Sequence, residues 1–181
     1  MTYSDYLKLG DDFRCEIIDG QIYAMAAPRI AHQRVAQRIW KQLDAFLAGR
    51  RCEAFIAPLD VRLSANKRNK HDDTVVQPDV FVLCDKNKID KKGQSILGAP
   101  DMVIEVLSQG SAYVDRVLKH KKYLEAGVRE YWIADPDNKT VEVYVLENNR
   151  YYSQNYSAPD IIPGHVLEGL KIDLAEIFAE E

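Results

Sequence analysis

The chain has 181 residues, of which 46% are apolar and 29% are charged, a composition typical of a globular protein with one sizeable core. Its net charge of −4 argues against a basic nucleic-acid coat protein, and no apolar run approaches the roughly 20 residues needed to cross a bilayer. Residues 1–6 lack the basic and apolar regions of a signal peptide, so we expect a cytoplasmic protein with no membrane partner.

The N-terminal part of the chain predicts a hairpin and a long helix. Residues 15–18 and 21–25 are strand-like and flank Asp19-Gly20, a pair that favours a type I′ turn because both positions accept a positive φ. Residues 30–47 carry apolar side chains at helical spacing, which predicts an amphipathic helix.

The middle of the chain predicts the centre of a sheet. Residues 75–83 and 102–107 are near-continuous apolar runs, typical of strands buried on both faces. The other predicted elements are an extended segment over 54–63, polar links over 64–74 and 86–100, a helix over 112–126, a strand over 130–135, a ribbon of 141–145 with 151–156, and a closing helix over 174–178. We therefore predict one α/β or α+β domain over residues 1–181, with a central mixed sheet flanked by helices.

Three cysteines, Cys15, Cys52 and Cys84, lie far apart in strand-like sequence. Their odd number and spacing match neither a disulfide framework nor a CxxC metal site. We expect all three to be reduced core residues.

Two acids stand inside the apolar runs, Asp79 near the start of one predicted strand and Glu105 within the next. Burial of a carboxylate is unfavourable unless a partner, a proton or a cation compensates for it. If the strands are neighbours, the two carboxylates lie close together, an arrangement suited to Mg²⁺. The alternative is two strand-end acids that are capped or that reach solvent.

The helix over 112–126 carries Asp115, Lys119 and Tyr123 at intervals of four residues, so they form one stripe. Lys119 could orient the attacking water or offset charge at a phosphate. The alternative is a surface ion pair beside a core tyrosine. Basic residues also cluster at 67–71, 86–92 and 119–122, either as a phosphate-binding surface or as solvated faces.

The order of these residues resembles the Uma2 family, also called DUF820, of the PD-(D/E)xK nuclease superfamily, over roughly residues 12–175. The segments that carry the resemblance are Glu16-Ile17-Ile18-Asp19-Gly20, His32, Gln77-Pro78-Asp79-Val80, Ile104-Glu105-Val106-Leu107-Ser108, Asp115, Lys119, Tyr123, Gly127-Val128, Glu130-Tyr131-Trp132-Ile133 and Asp135-Pro136. The resemblance implies a restriction-endonuclease-like core that hydrolyses phosphodiester bonds with Mg²⁺, or Mn²⁺, held by Asp79 and Glu105.

One position departs from the superfamily pattern. The lysine expected two residues after the second acid is Leu107 in this chain, which can hold no charge. The resemblance implies that the following helix supplies the lysine instead, and Lys119 is the candidate. Glu16 matches a family position and is a candidate third acid or outer partner, or else a cross-strand hairpin residue. His32 is a candidate base, or else a cap or core histidine.

The leading hypothesis is a metal-dependent endonuclease acting on DNA, with Asp79, Glu105, Lys119 and Glu16 as its catalytic residues. Phosphate contacts are expected from Arg116, Lys121 and Lys122. A homodimer joined through the ribbon is expected because many nucleases use two sites for two strands. The rival hypothesis is an inactive nuclease-like domain that serves in nucleic-acid binding or assembly.

Overall fold

The computed structural model describes residues 1–10, 13–64, 72–108 and 110–180. Its helices are α1 (Tyr3–Tyr6), α2 (Ile30–Leu47), α3 (His120–Ala126) and α4 (Leu174–Ile177), with a 3₁₀ turn at Lys86–Lys88 and a π-helical segment at Val114–Lys119 that continues into α3. Its strands are β1 (Cys15–Ile18), β2 (Gln21–Ala24), β3 (Glu53–Ile56), β4 (Asp60–Arg62), β5 (Val75–Val76), β6 (Val80–Leu83), β7 (Ser95–Leu97), β8 (Met102–Val106), β9 (Glu130–Asp135), β10 (Thr140–Glu147), β11 (Arg150–Ser157), β12 (Ile161–Pro163) and β13 (Lys171–Asp173).

These strands form two larger sheets and one small ribbon. The first sheet has the order β2-β1-β5-β4-β7, the second has the order β11-β10-β9-β8-β6-β3, and β12 pairs with β13. Strand β8 lies antiparallel to β6 and parallel to β9, so the second sheet is mixed. Every residue of β6 and β8 is buried, which confirms the prediction that these strands are central.

Several predicted elements are confirmed almost to the residue. The β1–β2 hairpin turns at Asp19 and Gly20, with φ values of 50° and 76°, as the Asp-Gly pair predicts. Helix α2 spans the predicted 30–47. The later helix ends at Gly127, whose φ of 83° is the left-handed conformation that commonly terminates helices. The ribbon is the antiparallel pair β10–β11.

The apolar run over 75–83, predicted to lie within a central strand, is divided in the structure, because the chain changes sheets inside it. Strand β5 belongs to the first sheet and β6 to the second, and residues 77–79 form the crossing. The extended segment 54–63 divides in the same way into β3 and β4. Each crossing contains a proline, Pro58 or Pro78, which lacks the N–H that a continued ladder needs. A bond from Ala57 N–H to the Asp79 carbonyl, 3.0 Å long, joins the two crossings.

Two apolar clusters cover the two faces of the second sheet. One packs α2 and the C-terminal elements against residues such as Val82 and Ile104. The other packs α3 and the first sheet against Phe81, Val103 and Tyr131. Asp79 and Glu105 lie on this second face, because side chains alternate along a strand.

The prediction that all three cysteines are reduced is wrong. Cys52 and Cys84 form a disulfide, whereas Cys15 is free and buried. In the β3–β6 register Glu53 pairs with Leu83, so Cys52 and Cys84 stand directly opposite each other one position further along. That register joins residues 32 apart in sequence, which is why cysteine spacing did not reveal the bond.

Candidate active site

The candidate site lies where the two sheets meet. Glu16 on β1 accepts a 2.8 Å hydrogen bond from Gln77 N–H, which ties the first sheet to the crossing that carries Asp79. The β6–β8 register pairs Val80 with Ile104, so Asp79 and Glu105 each follow directly on that last pair. Val106 N–H donates a 2.8 Å hydrogen bond to Asp79 Oδ2, and both acids line one cavity. The structure therefore brings together the two acids predicted as metal ligands.

Lys119 joins three carboxylates from three different elements. Its Nζ lies 2.8 Å from Glu16 Oε1, 3.0 Å from Glu105 Oε1 and 3.3 Å from Asp115 Oδ1. The Lys119 side chain is only 5% exposed, so this is a buried ion cluster and not the surface ion pair that the sequence left open. Three carboxylates thus surround one ammonium group.

The helix that carries Lys119 is held over this cluster by two tyrosines. Tyr123, one turn further along, donates a 2.6 Å hydrogen bond to Glu105 Oε1. Tyr131 on β9 donates a 3.0 Å bond to the Asp115 carbonyl. The predicted stripe of Asp115, Lys119 and Tyr123 is therefore confirmed as an inward-facing one.

Burial and charge shift the pKa values in opposite directions within the cluster. Burial raises the pKa of Glu105 well above its usual range, and the opposing effect of Lys119 does not cancel the shift. Burial also raises the pKa of Glu16 against the effect of the same lysine. Burial lowers the pKa of Lys119, but Glu105, Glu16 and Asp115 together raise it well above normal. The charged form of Lys119 is therefore strongly favoured. Its attraction does not fully offset the cost of burying the carboxylates of Glu105 and Glu16.

His32 contacts Asp79, the fourth acid of the site. Its Nε2 lies 3.1 Å from Asp79 Oδ2, which also accepts a 2.8 Å hydrogen bond from Val106 N–H. Burial lowers the pKa of His32, but the bond to Asp79 and its charge reverse the shift and raise it. His32 Nδ1 is buried and has no hydrogen-bond partner within the described residues. His32 is therefore neither a helix cap nor an apolar-core residue.

A cavity of about 250 Å³ opens onto the charged groups of the site. Its lining includes Glu16, His32, Asp79, Glu105, Asp115 and Lys119, residues of the segment before α2, and Ser108, Gly110 and Ser111. Within the described residues, the hydrogen bonds and ion pairs to each carboxylate reach one oxygen only, so the other oxygen of each acid lacks a protein donor. The cavity wall accordingly carries several carboxyl oxygens that accept no bond from the described part of the protein.

The donor set suits a hard divalent cation. In the described part of the chain, no three His, Cys, Asp or Glu side chains are grouped to hold a metal ion by themselves. Mg²⁺, however, usually takes only one or two protein carboxylates and completes its octahedron with water and phosphate oxygens. The carboxylates of Asp79 and Glu105, which line one cavity and each have an oxygen without a donor in the described residues, fit that requirement.

The three predicted phosphate contacts lie apart from the cavity lining. Arg116 pairs with Glu142, Lys121 lies 3.8 Å from Glu125, and Lys122 lies 2.7 Å from Asp19. None of the three lines the cavity, so the structure does not bring them together with the acids. The basic cluster at 67–71 lies outside the described residues.

The sequence analysis names both Asp115 and His32, but it does not predict the contacts that place them in the site. Asp115 was placed on the lysine stripe but not among the site residues, although its spacing of four from Lys119 was a usable signal. The contact between His32 and Asp79 joins residues 47 apart, and nothing in the local sequence pattern indicated it.

This chain is similar to several known proteins. The model of the Uma2 family, described as "Putative restriction endonuclease", matches residues 3–175. Two proteins of Synechocystis sp. (strain ATCC 27184 / PCC 6803 / Kazusa) are similar. "Uncharacterized protein slr1290" is 28% identical over 147 residues, 80% of this chain and 73% of that protein. "Uncharacterized protein sll1609" is 25% identical over 155 residues, 84% of each.

A solved structure is similar along its whole length. The crystal structure of "a putative nuclease belonging to DUF820" from Anabaena variabilis ATCC 29413 superposes with a TM-score of 0.77 at 24% identity, covering 99% of this chain and 98% of that one. This likeness confirms the predicted fold class. No helix in the described ranges has both the length and the apolar character of a membrane span.

Proposed function

Because this chain belongs to the Uma2 family, we propose that it is a metal-dependent endonuclease that hydrolyses phosphodiester bonds in DNA. The observation that carries the proposal is the excess of buried acid around one lysine, since a buried carboxylate without full compensation favours binding of a cation. These acidic side chains line a cavity that a substrate can enter.

In this proposal Asp79 and Glu105 would hold Mg²⁺ or Mn²⁺. Such an ion would supply Lewis-acid chemistry at the phosphate and would make the attacking water more acidic. His32 and Val106 N–H fix one oxygen of Asp79, so the other oxygen would be available to hold the ion. Tyr123 does the same for Glu105. The protein thus orients both ligands through hydrogen bonds that do not consume the free oxygens.

Lys119 and Glu16 act beside these ligands. The positive charge of Lys119 offsets the negative charge that develops on the phosphate during attack by water. Glu16 is an outer acid that holds Lys119 at 2.8 Å and leaves its second oxygen to accept a proton or bind water. Arg116, Lys121 and Lys122 are proposed to contact the DNA backbone beyond the cavity, and a homodimer would present two such sites to the two strands.

A second candidate function is a nucleic-acid-binding or assembly module without catalysis. Two observations favour it: the absence, among the described residues, of three grouped metal-binding side chains, and the position of Lys119 among the acids. The two candidates differ in whether a divalent ion binds at Asp79 and Glu105.

The test is cleavage of supercoiled plasmid by the purified protein with Mg²⁺ or Mn²⁺, alongside calorimetric titration of the same ions. We expect the wild type to nick or cut the plasmid and to bind the ion, and Asp79→Asn or Glu105→Gln to lose both. Asp44→Asn, which removes an exposed acid from α2, is the matched control and should leave both unchanged. Cleavage that persists in Asp79→Asn, or a wild type that neither binds the ion nor cuts, would refute the proposal.

A further inference from the structure

In the structure Lys119 contacts acids with which a substrate would have to compete. An ammonium group has three N–H donors. Three carboxylate oxygens stand at contact distance from Nζ, one each from Glu16, Glu105 and Asp115. The contact to Glu105 is a hydrogen bond, and the other two are ion pairs that hold the ammonium among the acids. A phosphate that approaches Lys119 therefore competes with these acids, and exchange of one contact would release the lysine for a direct role.

We propose that Lys119 is the internal counter-ion of the carboxylate cluster, that a divalent cation competes with it for Glu105, and that the exchange turns one lysine N–H toward the substrate. This inference rests on the proposed function, since it names how the same site is regulated by its metal. Lys119 is then a positioning residue before the ion binds and contacts the substrate afterwards.

Glu105 is the contact that the geometry favours for exchange. Glu105 and Asp79 line the same cavity, and Lys119 Nζ lies 3.0 Å from Glu105 Oε1, so a cation held by both acids would come close to the ammonium and repel it. Glu105 Oε1 also keeps its 2.6 Å bond from Tyr123, so the carboxylate stays oriented after the lysine departs. Asp115 lies on the same helical stripe as Lys119 and is free to remain its partner.

The lysine has room to make this move. Lys119 is itself part of the wall of the cavity of about 250 Å³. Its four-carbon stem is flexible, and its ammonium is a compact charge with rotatable donors. Small rotations of the stem are therefore enough to shift Nζ from Glu105 into the cavity while Glu16 and Asp115 hold the charge.

The first experiment measures Mg²⁺ affinity by calorimetry at pH 8, where protons compete weakly for carboxylates. Lys119→Met removes the competing cation, so we expect binding at least about tenfold tighter than in the wild type, with cleavage lost. Lys86→Met is the matched control, because Lys86 pairs with Glu53 at an exposed site and should not change the affinity. Equal or weaker binding by folded Lys119→Met would overturn the inference.

The second experiment uses only the wild type and covers the case in which Lys119→Met fails to fold. Lysine side chains labelled with ¹⁵N are observed by NMR, where the Lys119 ammonium is identified by slow hydrogen exchange, since the residue is 4% exposed. Mg²⁺ should shift this signal and accelerate its exchange. A signal that stays unchanged while the ion saturates its site would overturn the inference and leave the proposed nuclease intact. A wild type that binds no Mg²⁺ and cuts no DNA would overturn both.

Discussion

Two regions of the second sheet each bury a glutamate, and the two glutamates differ in their hydrogen-bond partners. Glu130 on β9 is fully buried and receives only neutral donors: Trp132 Nε1 at 2.8 Å on one oxygen, and the N–H groups of His165 and Val166 at 3.1 and 2.8 Å on the other. Glu105 on β8 is also buried, but only one of its oxygens is bonded within the described residues.

This contrast separates a structural acid from a functional one. Glu130 attaches the loop before β13 to the sheet, and its two oxygens have three donors between them, so nothing is left for a ligand. Glu105 faces three further acids with a single lysine to neutralise them. Incompletely satisfied buried polar groups concentrate where function requires them, and they lower stability. Burial of an acid is thus uninformative until its hydrogen bonds are known.

The same substitution should therefore have opposite effects on stability in the two regions. Glu130→Gln replaces an acceptor oxygen with an NH₂ group that faces buried donors, so we expect a loss of about 3 kcal/mol in the free energy of unfolding. Glu105→Gln keeps an oxygen for Lys119 and Tyr123 and removes one of the excess charges, so stability should be unchanged or higher while cleavage is lost.

Urea denaturation of the two variants measures this difference, with plasmid cleavage as the second readout. Glu130→Gln should keep cleavage activity in the folded fraction. If Glu105→Gln loses as much stability as Glu130→Gln, the distinction between the two regions is wrong.

The contrast also shows which parts of this molecule the sequence predicts. Local signals were sufficient where one segment decides its own conformation, as for Asp19-Gly20 and the helix over 30–47. They failed where a result depends on strand register, as for the disulfide between Cys52 and Cys84. They also failed at residues 77–79, because an apolar run does not reveal that its two ends belong to different sheets.

The candidate site follows the same division. Asp79 and Glu105 were predicted because an acid within an apolar run is anomalous in the sequence itself. That three acids converge on Lys119 depends on packing of the first sheet, the second sheet and a helix, which no single segment specifies. The number of carboxylates around the lysine was therefore not predictable, although their presence was.

A smaller effect is expected at His32, which distinguishes orientation of Asp79 from its charge. His32→Gln places an amide N–H where Nε2 now lies 3.1 Å from Asp79, whereas His32→Leu removes the donor. We expect Leu to weaken Mn²⁺ binding about ten- to a hundredfold and Gln to restore most of the loss, as for other residues that orient metal ligands. Calorimetry with Mn²⁺ measures both. Equal losses in the two variants would show that His32 does not act through its bond to Asp79.

The smallest expected effect is a pH dependence that belongs to neither glutamate region. His120 follows Lys119 in the chain but packs against Tyr144 and Tyr151, with ring centroids 4.8 and 5.2 Å apart. Burial lowers its pKa below the usual 6.5, against the weaker opposing effect of Glu142. Since the unfolded chain then binds the proton more readily, this contribution to stability is present above about pH 6.5 and is lost as the pH falls through the folded-state pKa.

His120→Phe keeps an aromatic ring without a titrating group, so unfolding curves at pH 7.5 and 5.5 should differ less in the variant than in the wild type. If the two proteins lose the same stability over that interval, the pH dependence arises elsewhere, and the acid cluster becomes the first place to look for it.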